Sequence, residues 1–91
     1  MSELLIEHNP SPLKLEVLGV DDWPLRTDDV STFVARYETT EVSYVTAGEA
    51  IVTTQNGESI LAREGDMITC MPGSECNWVI KETLTRHYRV A

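Results

Sequence analysis

The chain has 91 residues, of which 42% are hydrophobic and 24% are charged, a composition typical of one small globular domain rather than of a disordered or fibrous protein. Fifteen acidic residues against seven Lys and Arg give a net charge of −8, which disfavours binding to nucleic acid or to an anionic membrane surface. No apolar run approaches the roughly 20 residues of a membrane span, and the acidic N-terminus does not resemble a signal peptide, so we expect a cytoplasmic protein.

The first part of the chain has no clear periodicity. The stretch "LKLEVLGV" (13–20) fits either a short helix or a strand. From residue 31 onward, runs rich in β-branched and aromatic residues predict strands, separated by Gly, Pro or charged turns at intervals of about ten residues. The predicted strands are 31–39, 41–46, 49–55, 59–62, 66–71, 76–80 and 84–90.

Asn56-Gly57 lies between two of these runs and is a strong hairpin signal, because both residues tolerate the positive φ that a type I′ turn needs. Several short strands at such spacing predict an all-β barrel or sandwich. We expect residues 20–91 to form the barrel and residues 1–19 to pack on it.

Two blocks of the sequence resemble the two motifs of cupins. "EVSYVTAG" (41–48) is similar to the end of the first motif, and "GDMITCMPGSEC" (65–76) is similar to the second. Together with Trp23-Pro24, Cys76-x-Trp78 and His87-Tyr88, residues 20–90 resemble the small Cupin_3-like subfamily related to ureidoglycine aminohydrolase (DUF861). The resemblance implies a single-domain cupin with the RmlC-like jelly roll, and a substrate of the ureide or amino-acid type.

The resemblance also implies four metal ligands, of which this sequence has one. The His-x-His positions before Glu41 fall on Ala35 and Tyr37, or on Val34 and Arg36. The histidine position of the second motif holds Cys76. We therefore expect no metal cofactor. One divalent-metal alternative stays open, a zinc site with an open position made of Glu41, Cys76 and His87.

Glu41 is the first candidate for a functional residue. Cupin topology points it into the barrel, where an ionised carboxylate needs a partner such as Arg36, Arg86 or Arg89, a hydroxyl, a metal or a proton. A carboxyl group in such a pocket can act as a general acid or base.

Cys76 and His87 are further catalytic candidates. Cys76 also fits a small buried hydrophobe, since free cysteines are among the most buried residues. His87 and Tyr88 point to opposite faces of their strand, so only one can enter the barrel. The candidate ligand-binding residues are Tyr37, Glu41, Ser43, Cys76 and Trp78.

These observations favour a small cupin that binds a polar small molecule in its barrel without a metal. Two alternatives remain: a metal-dependent enzyme acting on ureide or amino-acid-like metabolites, and a regulatory or structural module such as a homodimer formed by edge-strand pairing. Whether the protein is an enzyme at all is open at this point, because cupins support many functions.

Overall fold

The computed structural model describes residues 3–91, and most of these belong to antiparallel β-strands. The strands are β1 (Leu4–His8), β2 (Leu25–Asp28), β3 (Ser31–Arg36), β4 (Glu41–Thr54), β5 (Ser59–Arg63), β6 (Asp66–Cys70) and β7 (Glu75–Val90). A short helix, α1 (Pro12–Leu18), and a single 3-10 turn (Val20–Asp22) lie between β1 and β2. The structure confirms the all-β prediction.

Two long strands, β4 and β7, run through both sheets of the barrel. Their pairing extends from Glu41 opposite Val90 to Thr54 opposite Cys76. One half of each strand belongs to a sheet with the order β1-β6-β4-β7-β2. The other halves pair with β5 and β3 and form a second sheet, β5-β4-β7-β3. Because both sheets share the same two strands, they form one jelly roll.

The two long strands bend at a corner near Gly48, where their register shifts three times between Val45 and Ala50. Gly48 has a φ of +93°, and a Cβ atom there would lie 2.1 Å from the carbonyl oxygen of Thr83. Only glycine fits so close an approach of two backbones. Val45 and Ala50, on either side of the bend, are both fully buried, so the bulges turn the strand while keeping its inner face inside.

The sequence predicts four strands where the structure has two. The predicted strands 41–46 and 49–55 are one strand, β4, and the predicted strands 76–80 and 84–90 are one strand, β7. The prediction was wrong because Gly48 and the charged residues before Leu84 are typical of turns. Here they form a bulged corner at which hydrogen bonding continues on both sides.

Two short edge strands escape the sequence pattern. β1 fully buries one side chain, that of Leu4, and β2 fully buries none, so neither shows the alternation of a half-buried strand. β1 pairs with β6, so residues 4–8 of the N-terminal segment belong to the first sheet. The division between this segment and the barrel stays a prediction. β3 ends at Arg36 rather than at residue 39 as predicted, because a loop leads from there into β4.

Helix α1 settles the structure of the segment 13–20. The hydroxyl of Ser11 accepts a hydrogen bond from the Lys14 amide at 3.1 Å, and Pro12 opens the first turn. Gly19, with a φ of 71°, ends the helix. Within residues 3–91, no helix has both the length and the apolar character to cross a membrane. A cytoplasmic location stays a prediction.

The predicted hairpin at Asn56-Gly57 joins β4 to β5, but its turn is not type I′. The Gly57 amide donates to the Thr54 carbonyl at 3.0 Å, and the Thr54 amide donates to the Glu58 carbonyl at 2.8 Å. Gly57 has a positive φ of 83°, whereas Asn56 does not have a positive φ. The loop therefore has three residues, a type I turn followed by a left-handed glycine, and is one residue longer than a type I′ loop.

The core fills the space between the two sheets. Its largest fully buried side chains are those of Trp78, Ile68, Ile80, Leu84, Val45, Val52 and Cys76. Ser43 and Arg86 are among the polar side chains that are buried beside this apolar core. Since buried charged groups are rare unless they are paired, Arg86 marks one region of the interior as unusual.

Alanine substitution at two glycines separates backbone strain from steric conflict. Gly48 and Gly57 both have a positive φ, but a Cβ at Gly57 meets nothing within 4 Å. We expect Gly57→Ala to lower the free energy of unfolding by about 1–2 kcal/mol, the cost of a left-handed backbone. Gly48→Ala must also displace the Thr83 backbone and should cost more than about 3 kcal/mol. Urea denaturation of both variants measures the difference, and equal losses would contradict the close packing of the corner.

Candidate functional site

A buried ion pair lies between the sheets at the start of β4. Arg86 Nη1 donates to Glu41 Oε2 at 3.3 Å and to Ser43 Oγ at 2.6 Å. Ser43 lies opposite Tyr88 in the β4–β7 register, and strand alternation places Arg86 and Tyr88 on the same inner face of β7. Of the three arginines that could pair with Glu41, the structure selects Arg86.

Aromatic rings surround the guanidinium group. Arg86 Cζ lies 5.2 Å from the centroid of the Trp78 ring and 5.6 Å from that of Tyr88. Phe33 of β3 lies opposite Trp78 of β7 in the second sheet, and the two rings stack, with centroids 6.1 Å apart and an interplanar angle of 7°. The two contacts of Arg86 with Trp78 and Tyr88 are cation–π interactions, which gain strength where water is excluded. The positive charge is thus held among apolar walls.

The guanidinium group is incompletely satisfied. Its Nε atom is buried and has no hydrogen-bond partner, and Arg86 as a residue is only 4% exposed. The distance of 3.3 Å between Arg86 Nη1 and Glu41 Oε2 is long, because charged hydrogen bonds of this type usually measure about 2.7–2.9 Å. Replacing a buried ion pair by apolar side chains is often neutral or stabilising, so a contribution to stability does not by itself account for this arrangement.

The solvent reaches the ion pair through Glu41. The Glu41 side chain is 17% exposed, compared with 4% for that of Arg86. Arg26 of β2 lies at this entrance, with its Cζ 5.7 Å from the Phe33 ring centroid. Its pKa is raised, mainly by the hydrogen bond to Asp28 and further by the charges of Asp28 and Glu41. A second cation therefore stands near the carboxylate.

A second polar group of residues lies deeper, beside the turn between β6 and β7. Trp78 Nε1 donates to the Tyr37 hydroxyl at 2.9 Å. The Tyr37 hydroxyl also interacts with the Cys70 thiol, and this thiol interacts with that of Cys76. Among the described residues both cysteines are free thiols, and both are buried.

Burial controls the protonation of these groups. It raises the pKa of Cys70 to about 12, the Tyr37 hydrogen bond only partly opposing the effect. Burial likewise raises the pKa of Cys76 and that of Tyr37 above their ordinary values. At neutral pH all three side chains are uncharged. This is the behaviour of packing thiols rather than of an activated nucleophile.

The structure brings most of the predicted site residues together and leaves one outside. Tyr37, Glu41, Ser43, Cys76 and Trp78 all contribute to the interior between the sheets. His87 does not: its Nδ1 lies 3.0 Å from the Trp23 carbonyl oxygen, on the opposite face of β7. Tyr88 is therefore the member of the His-Tyr pair that faces inward. The catalytic roles of Glu41, Cys76 and His87 stay predictions.

Sequence reasoning missed Arg86 as a site residue. The pattern Leu84, Arg86, Tyr88 carries a signal for it, since alternate residues of a strand share one face and Leu84 is fully buried. What the sequence did not show was which of the two alternating sets of side chains in this strand faces the interior. A separate surface cavity of about 600 Å³ beside Tyr37 and Gly73 includes none of Glu41, Ser43 and Arg86.

The residues at the metal positions implied by the resemblance do not fit a metal ion. Ala35 has no donor atom, the Tyr37 hydroxyl is bound to Trp78, and Glu41 is bound to a guanidinium group whose charge repels a cation. The zinc alternative is not assembled either, because His87 lies on the outer face. Across residues 3–91 no three His, Cys, Asp or Glu side chains are grouped so that they could hold a metal.

The chain is similar to known cupins in sequence and in structure. A family model described as the EutQ-like cupin domain matches residues 15–88. A DUF861 family protein from Thermotoga maritima is 36% identical, with a TM-score of 0.94 over 98% of this chain and 100% of that chain. No functionally curated protein matches the chain.

Two further solved structures resemble the fold at lower identity. A putative ethanolamine utilization protein Q from Salmonella typhimurium is 23% identical, with a TM-score of 0.64 over 70% of this chain and 51% of that chain. The EutQ protein of Clostridium difficile is 20% identical, with a TM-score of 0.64 over 70% of this chain and 50% of that chain. Matched regions in both proteins are thus about half of their length, and the likeness concerns the fold alone.

The thiols should be unreactive in the folded protein. We expect iodoacetamide at pH 8 to modify Cys70 and Cys76 slowly in buffer and rapidly in urea, because burial limits access and keeps the thiols protonated. Mass spectrometry of the Cys70→Ala variant follows Cys76 alone. Rapid modification of Cys76 in a variant shown to be folded would instead identify a functional thiolate.

The raised pKa of Cys70 also predicts how stability depends on pH. The unfolded thiol loses its proton near the ordinary pKa of 9.0, and the folded thiol near a pKa of about 12. Between these values the folded state binds more protons, so the free energy of unfolding falls as pH rises above about 9. Urea midpoints between pH 8 and 10 should fall less steeply in Cys70→Ala than in the wild type. Parallel curves would mean that Cys70 ionises as easily in the folded state as in the unfolded state.

Proposed function

The chain belongs to the family of EutQ-like cupin domains, and on that premise we propose that it binds a small polar molecule between its two sheets without a metal. The observation that carries the proposal is the buried Arg86, whose charge is held by one carboxylate and one hydroxyl while its Nε has no partner. A polar ligand would supply the hydrogen bonds that the protein leaves unmade.

The surroundings of Arg86 suit a binding site. Trp78 and Tyr88 provide apolar walls on which the ligand's carbon atoms can pack, and Ser43 provides a hydroxyl group that can donate or accept. Glu41, the most exposed member of the ion pair, stands at the entrance. The proposed site thus combines several hydrogen-bonding groups with apolar surface, the composition typical of small-molecule sites.

We propose binding without a metal because of the chemical groups that surround Glu41. A guanidinium group takes the place that a metal would need beside Glu41, and the nearest thiols keep their protons because burial raises the pKa of Cys70 and of Cys76. Metals bind the thiolate form of cysteine, so binding at these thiols would first have to overcome that shift.

The two tryptophans of the chain offer an internal control for a binding experiment. Trp78 lies in the proposed site, whereas Trp23 lines a separate surface cavity together with Val42, Thr69 and Arg89. We expect small carboxylates, amino acids, ureides, alcohols or amines, added to chelator-treated protein, to shift the indole N–H resonance of Trp78. The Trp23 indole resonance should stay in place. Two-dimensional ¹⁵N NMR of the labelled protein measures both signals in the same sample.

Two results would count against the proposal. If no compound of these five classes moved the Trp78 resonance at millimolar concentration, a regulatory or structural role would be favoured. If shifts appeared only after Zn²⁺ or Mn²⁺ had been added back, the metal-dependent alternative would be correct.

A further inference from the structure

Arg86 and Glu41 form an ion pair that a ligand could open. The carboxylate contacts one nitrogen of the guanidinium group through one oxygen, at 3.3 Å, whereas arginine commonly holds a free carboxylate through two parallel hydrogen bonds. The Ser43 hydroxyl, at 2.6 Å, is the closer partner of the same nitrogen. Glu41 is therefore a weakly held counter-ion of a buried cation.

Glu41 is also the member of the pair that can move. It is the first residue of β4 and follows the loop after β3, so its side chain lies at the end of a strand. Its partial exposure contrasts with the full burial of Trp78 and the near-complete burial of Arg86. A ligand that reaches Arg86 must pass Glu41, and outward rotation of this one side chain would uncover Nη1.

A cation lies at the entrance in spite of the net charge of −8. Arg26 stands there with its guanidinium group over Phe33, and its pKa is raised mainly by Asp28 and further by Glu41. Arg26 is already paired with Asp28 at 3.0 Å, and the remaining N–H donors of its guanidinium group could pair with Glu41 turned outward. The positive charge of Arg86 then requires a new anionic partner inside the barrel.

We infer that Glu41 occupies the place of a small carboxylate ligand, which binds by exchange with it at Arg86 Nη1 and the Ser43 hydroxyl. The inference rests on the proposed function and names its ligand class. A carboxylate is the group whose place Glu41 already fills, and the rings of Trp78 and Tyr88 pack against the rest of the ligand. The ligand is small because the space it enters is that of one glutamate side chain.

Acetate and acetamide, which are similar in shape and differ in charge, test the class of ligand. Chelator-treated full-length protein is titrated with sodium acetate, which replaces sodium chloride so that the ionic strength stays constant. A parallel sample is titrated with acetamide. Acetate should shift the Trp78 indole resonance with saturation, and acetamide should bind at least about tenfold more weakly, because it lacks the charge that Arg86 requires.

The Glu41→Gln variant tests the exchange. With the internal carboxylate removed, acetate should bind about tenfold more tightly than to the wild type, and it should raise the melting temperature of the variant more than that of the wild type. Glu75→Gln is the matched control, since it breaks the Arg36–Glu75 pair, whose contact is 2.7 Å, on the surface. Its acetate affinity should equal that of the wild type.

The outcomes separate the inference from the proposed function. If acetamide or an amine bound as well as acetate, the proposed function would stand and the carboxylate class would be wrong. Weaker acetate binding by Glu41→Gln would show that Glu41 contacts the ligand instead of making way for it. If Glu41→Gln were unfolded in buffer, refolding by acetate but not by chloride would support the exchange, and failure to refold would contradict it. No response of Trp78 to any compound would reject both.

Discussion

The pairing of β4 with β7 is the interaction on which the barrel depends. Each sheet contains one half of both strands, and the outer strands of each sheet attach to one or the other. The bend that lets one pair serve two sheets is possible because Gly48 brings two backbones closer than any side chain would allow. The same pairing aligns Ser43 with Tyr88 and so determines which polar groups meet in the interior.

A buried charge lies beside Glu41, the one residue of this chain that matches the metal ligands implied by the resemblance to cupins. Arg86 supplies a fixed positive charge, Glu41 and Ser43 partly satisfy it, and two aromatic rings contact it. A metal gathers several ligands around one point, whereas a guanidinium group is planar and directs its donors outward along fixed lines. The proposed site, built on Arg86, would therefore select ligands by the position of their acceptor atoms.

The fold class and most of the interior residues could be predicted from the sequence. Which residues of β7 face inward could not. Glu41 and Ser43 could be placed together because alternation within one strand is a local property. His87 and Tyr88 could not be told apart, because the face of β7 depends on bulges and on pairing with β4, which lies some forty residues earlier. The edge strands β1 and β2 could not be predicted for a related reason. Pairing with neighbouring strands stabilises them, and most of their own side chains are not buried, so they lack a hydrophobic pattern.

The position of β7 in the chain has a consequence for how the protein folds during synthesis. β2 and β3 pair with β7, and β4 pairs with β7 along most of its length. Neither sheet can therefore be completed before residues 75–90 have been synthesised. At a ribosomal rate of about 5–20 residues per second, the earlier strands spend seconds with exposed edges. Topologies dominated by such distant pairings fold slowly. In the nascent chain, acidic residues spaced along these unpaired segments would oppose aggregation until the last strand arrives.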